Sequence, residues 1–201
     1  RLVSQADVAR FDPQTQQWES LPPLPAGRSS VDAAVIGDTL YVAGGWNLHA
    51  DAEPQWHDTA LKLDLAAANP QWQTIAPPGF QRRAVSLAAW DGKLYVIGGM
   101  QPTGGPTTRT AVYDPATDAW SEGPELRGSA MDGFGTSSFA TVDRLTVTTM
   151  SGAIQELSPS GQWEFAGQLA QPRFFHRMLP WRNDLVIVGG GDGALNAAAP
   201  A

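Results

Sequence analysis

Three apolar runs in this 201-residue chain close on a diglycine: Leu40 to Gly45, Leu94 to Gly99 and Leu185 to Gly190. A fourth, degenerate copy, Leu145 to Thr149, has lost its glycines. Tryptophans stand upstream of all four, at Trp18, Trp72, Trp120 and Trp163. In the three clean copies the first glycine follows its tryptophan by 26 residues. Arg28, Arg82 and Arg173 each stand ten residues after that tryptophan and twelve before the leucine. The third unit is irregular: Trp120 to Thr149 is 29 residues, and the position twelve before Leu145 holds Gly133 instead of arginine. Before each tryptophan runs a further short strand, beginning at Val8, Ala60, Ala111 and Ile154. Four units of about fifty residues, each with four short strands, predict an architecture in which neighbouring units cover one another's faces.

Composition agrees with an all-β chain. With 21 glycines and 16 prolines the sequence is punctuated too often for a helical bundle. Eight tryptophans and only 16% charged residues are wrong for a disordered acidic tail. The net charge of −7 disfavours nucleic acid, which needs a basic footprint. Cysteine is absent, which excludes disulfides, thiol catalysis and cysteine-based metal sites. No apolar run approaches the roughly 18 residues of a membrane span. The chain opens Arg-Leu-Val-Ser without an initiator methionine or a signal-peptide pattern, so the expectation is a soluble chain that is processed or excerpted, of unknown compartment.

The order of arginine, hydrophobic strand, strand ending in Gly-Gly, Tyr-Asp-Pro and tryptophan resembles the kelch repeat over nearly the whole chain. The resemblance implies a β-propeller of four-stranded antiparallel blades around a central channel. Blades are expected at about 28–77, 82–126 and 131–166, with tight turns at Gly37-Asp38 and Asp91-Gly92. Two inner strands near 173–195 and two outer strands near 3–20 are left over as complementary halves of a fourth blade. Joining them would give a closed four-bladed monomer and remove unpaired strand edges. The alternative is part of a larger, for example six-bladed, ring.

Two readings attach to the arginines. Arg28, Arg82 and Arg173 are either a ring of guanidinium groups for carboxylates or signature residues that bond nearby loop backbone. Arg83, Arg109 and Arg177 fall outside that phase and are the better ligand candidates. The long segment 46–58 holds Trp46, His49, Trp56 and His57 together with three acids. It reads as solvated loop, as a stacking surface for sugar or peptide, or as a metal site, although the spacing of its histidines matches no compact ligand pattern. His176 stands where the other units have Val31, Val85 and Thr136. At a channel-lining position it is a candidate acid or base, or a histidine simply bonded inside the ring.

The leading expectation is a binding module whose loop face recognises a protein segment or a small acidic or sugar ligand. Candidate ligand contacts are Arg28, Trp46, His49, Trp56, Arg83, Arg109, Arg173 and His176, with no cofactor and no metal. The rival implied by the resemblance is a sugar-converting enzyme similar to sialic-acid epimerases, with His176 and Arg173 as catalytic candidates beside Arg28 and Arg83. A copper radical oxidase is excluded because its cross-linked cofactor needs a cysteine. An iron-dependent specifier protein would want a Glu-x-x-x-Asp-x-x-x-His run, which is missing. A scaffold ring without ligand is the third possibility.

Overall fold

The computed structural model describes residues 2–182 and 184–192. The fourth-blade expectation at 173–195 therefore lies partly outside the described residues, at 193–195. The chain is an all-β propeller built from antiparallel sheets whose inner strands lie side by side. An N-terminal hairpin comprises β1 (Val8–Asp12) and β2 (Gln17–Leu21). The first blade follows with β3 (Asp32–Ile36) and β4 (Thr39–Ala43). A small ribbon of β5 (Trp46–Asn47) and β6 (Gln55–Trp56) interrupts it. β7 (Leu61–Asp64) and β8 (Gln73–Thr74) complete the blade in the order β3-β4-β7-β8.

The second blade is β9 (Ser86–Trp90), β10 (Lys93–Ile97), β11 (Thr110–Asp114) and β12 (Ala119–Glu122). A 3-10 turn at Ala130–Gly133 leads into the third, β13 (Ser137–Ala140), β14 (Leu145–Thr148), β15 (Ala153–Leu157) and β16 (Trp163–Gln168). The last hairpin is β17 (Phe174–Trp181) and β18 (Asp184–Gly191). Among the described residues the first and last hairpins form separate two-stranded sheets.

The core lies between blades, and the period-2 alternation of strands puts it there. On β10, Leu94 and Val96 pack toward the first blade, against Tyr41, Ala43 and Val85. The intervening Tyr95 and Ile97 pack toward the third, against Leu145, Val147 and Trp163. Three of the four repeated tryptophans tie their blade to the unit before it. The indole N–H groups of Trp72, Trp120 and Trp163 donate to the carbonyls of Pro22, Ala76 and Pro124 at 2.8, 2.7 and 3.0 Å. The N-terminal hairpin thus meets the first blade as each blade meets its successor. Trp18, in the same repeat position, is 71% exposed and packs on Phe11 of its own hairpin.

Glycine does the complementary work at the inner end. Gly45 N–H donates to the Arg82 carbonyl and Gly99 N–H to the Gly133 carbonyl, at 2.8 and 2.7 Å. A side chain at Gly133 would stand 1.7 Å from the Thr107 carbonyl oxygen, which explains why the third unit has no arginine there. The third unit has also lost its diglycine, and there the buried His176 takes the valine position and bonds Thr148 Oγ1.

Candidate functional site

The repeated arginines are part of the blades. Arg28, Arg82 and Arg173 each donate from Nη1 to the carbonyl of the first glycine sixteen residues on, Gly44, Gly98 and Gly189, at 2.9, 3.0 and 2.9 Å. Arg28 also reaches the Thr59 carbonyl, and Arg82 the Arg109 carbonyl at 2.7 Å. Burial pulls both Arg28 and Arg82 down to about 10, against an ordinary value of 12.5. Arg82→Met leaves the Gly98 carbonyl buried and unpaired. The expected cost is about 2 kcal/mol, or ~4–8 °C in Tm for a chain of this size, read by thermal unfolding.

The residue after each repeat arginine behaves differently. Ser29 and Arg83 pair through their backbones with the residue after the second glycine, Trp46 and Met100 respectively. Phe134 and Phe174 occupy the same repeat position in the third and fourth units. These positions gather at one end of the channel. The ribbon β5–β6 sets Trp46 directly opposite Trp56, with ring centroids 5.4 Å apart. Arg83 lies over them, its guanidinium carbon 4.1 Å from the Trp46 ring, 5.7 Å from Trp56 and 6.0 Å from Phe134. Phe134 in turn contacts Phe175 at 5.2 Å, and Phe174 and Phe175 meet at 5.0 Å. An aromatic arc therefore runs across the mouth, and Phe175 is half exposed.

Among the described residues no oxygen accepts from the Arg83 guanidinium. Its Nη2 donates to the thioether sulfur of Met100 at 3.0 Å, and its Nε is buried with no partner. Burial pulls its pKa down. Other arginines are satisfied by oxygen: Arg10 by Glu19, Arg144 by Glu156 and Arg177 by Asp32. Arg109 is largely exposed, with its Nε 3.8 Å from Glu125.

The remaining candidates are dispersed. His49 is exposed and its Nε2 pairs with the Asn47 amide nitrogen at 2.8 Å, whereas His57 Nε2 bonds the Gly27 carbonyl. Among the described residues no three histidine or carboxylate groups gather as a metal site would require. His176 is 2% exposed, bonded through Nε2 to Thr148, and burial holds its pKa below the usual histidine value. It sits in the seam between the third blade and β17, where it also lines a small cavity with Val31, Val85 and Thr136. Arg173 uses its guanidinium on Gly189 and Gln171. Sequence reasoning missed Met100, Phe134, Phe174 and Phe175. The signal was present in the repeat phase, as the position following each arginine or its substitute.

A family model described as the kelch motif matches residues 81–127, which is the second blade. The second blade therefore carries a kelch motif. Among curated proteins the chain is 27% identical to Kelch-like protein 36 of Mus musculus over 117 residues, 58% of this chain and 19% of that protein. It is 32% identical to Kelch-like protein 9 of Mus musculus over 104 residues, 52% of this chain and 16% of that protein. The chain thus spans about a fifth or less of the length of the relatives it matches. The solved structure of YjhT superposes with a TM-score of 0.75 at 19% identity, covering 93% of this chain and 69% of that one. At that identity the likeness establishes the fold. No helix among the described residues is long and apolar enough to cross a membrane. Fold and repeat together make the chain a kelch-type binding or scaffold module.

Proposed function

We propose that this chain is a binding module whose loop face takes an acidic protein segment. The observation that carries the reading is the Arg83 guanidinium, ringed by Trp46, Trp56 and Phe134 and offered no oxygen acceptor among the described residues. A guanidinium fixed by aromatic faces is pre-organised for a carboxylate, and a charge-assisted bond there is stronger than in open water. The surrounding rings supply apolar area for the residues flanking that carboxylate. Likeness to the Kelch-like proteins supports a protein partner over a free metabolite. The repeat arginines do not share the task, since their donors are already committed to glycine carbonyls.

The test is an array of 15-residue peptides in which each Asp- or Glu-bearing peptide is matched by its Asn or Gln counterpart, with sialylated and neutral glycans beside them. The expected result is binding to a subset of acidic peptides, weakened about 10- to 100-fold in Arg83→Met and weakened as well in Trp56→Ala. Equal binding of acid and amide peptides, an unchanged Arg83→Met, or binding to glycans alone would overturn it.

A further inference from the structure

The blades meet along the channel through two repeated bonds. The first joins residues in the left-handed region at the entry to each inner strand. Ser30, Ala84, Gly135 and Phe175 have φ of 54°, 54°, 62° and 55°. Ala84 N–H donates to the Ser30 carbonyl, Gly135 N–H to Ala84 and Phe175 N–H to Gly135, at 2.8, 3.2 and 2.9 Å. All four line one cavity of about 190 Å³ at the channel mouth.

The second bond lies one layer deeper. Asp32, Ser86, Ser137 and Arg177 are equivalent, because each stands opposite the residue preceding a diglycine or its remnant, namely Ala43, Ile97, Thr148 and Val188. Each of the first three accepts a backbone N–H from the following inner strand. Leu87 N–H donates to Asp32 Oδ2 at 2.9 Å, Ser138 N–H to Ser86 Oγ at 2.8 Å, and Met178 N–H to Ser137 Oγ at 2.9 Å. Arginine has no acceptor to continue the series. Among the described residues the approach of β17 to β3 shows neither repeated bond. In their place Arg177 Nη1 donates to Asp32 Oδ1 at 2.9 Å.

We propose that the Arg177–Asp32 pair is a latch that closes the inner strands β3, β9, β13 and β17 into a ring at its fourth, otherwise unbonded seam. The latch explains why the first unit has aspartate where the next two have serine. A carboxylate has one oxygen for Leu87 and a second, carrying charge, for Arg177, whereas serine's single oxygen would serve one seam. Burial pushes the Asp32 carboxyl up, and Arg177 and the Leu87 N–H pull it back. Among the described residues the bond across this seam lies near the axis. Farther out Trp181, Val186 and Val188 on one hairpin and Phe11 and Trp18 on the other remain exposed. Arg177 is 61% exposed, so the latch is accessible to salt and to substitution without disturbing the core.

Amide hydrogen exchange of the whole chain tests it, comparing wild type, Arg177→Lys and Arg177→Glu. Arg177→Glu places like charges in the seam. The expected result is several-fold faster exchange in both β17 and β3, which are 145 residues apart at the latch, with β10 and β14 unchanged. Arg177→Lys should stay near wild type. Adding Asp32→Asn to Arg177→Glu should recover part of the lost protection by removing the repulsion. Unchanged β3 exchange in Arg177→Glu, or the same acceleration in Arg177→Lys, overturns the proposal. If protection falls across the whole chain, recovery in the double variant supports the latch and no recovery overturns it.

Discussion

Gly98→Ala is expected to cost about 4 kcal/mol or more, a large share of the ~5–15 kcal/mol by which a folded domain is stable. The diglycine places Gly98 at φ +65°, where an L side chain is strained, and its added Cβ would lie 2.3 Å from the Gly133 carbonyl oxygen. That carbonyl cannot withdraw freely, because it accepts the Gly99 N–H that joins the second blade to the third. The control is Gly92→Ala in the β9–β10 turn. Gly92 has a similar φ of +69°, but nothing lies within 4 Å of its missing Cβ. Only the backbone strain of about 1 kcal/mol should be felt there. Urea unfolding of the two variants separates contact from conformation. Equal losses would show that blade contact at the diglycine contributes little.

The second large effect belongs to the inter-blade tryptophans. Trp163→Ala removes a side chain 1% exposed, packed against Leu145, Val147 and Tyr95 and bonded to the Pro124 carbonyl. A loss of about 3–5 kcal/mol is expected, as for other buried large-to-small changes. Trp18→Ala removes the same residue from the same repeat position and should change stability by about 0.5 kcal/mol or less, because Trp18 is 71% exposed. Thermal unfolding of the pair reads how each tryptophan depends on a preceding blade. A large loss for Trp18→Ala would mean that its indole is covered in solution.

The repeat made the blades legible in advance. The spacing from Trp72 to Gly98 placed β10, and the turn Asp91-Gly92 placed the hairpin before it. Reading the in-phase arginines as residues that bond loop backbone agrees with the geometry, since Arg28, Arg82 and Arg173 share one acceptor position. The site was less legible for a physical reason. A repeat is visible where every unit needs the same residue, but a recognition surface is built where units differ. Ser29, Arg83, Phe134 and Phe174 share a position but hold three different residue types, so periodicity passes over them. The segment 46–58 reads as loop, stacking surface or metal site, with no strand in view, because β5 and β6 contribute only two residues each. Their cross-strand pairing, which brings Trp46 onto Trp56, depends on folding back a nine-residue chord that no local pattern announces.

Neighbouring arginines give the most direct test of the central claim, that this chain keeps its repeat arginines for the fold and Arg83 for a ligand. Arg82→Met and Arg83→Met should be measured side by side for thermal unfolding and for affinity toward one acidic peptide. The prediction is a lowered Tm with affinity nearly retained, below that Tm, for Arg82→Met, and an unchanged Tm with affinity lost for Arg83→Met. Loss of affinity in Arg82→Met with full binding in Arg83→Met would contradict the account.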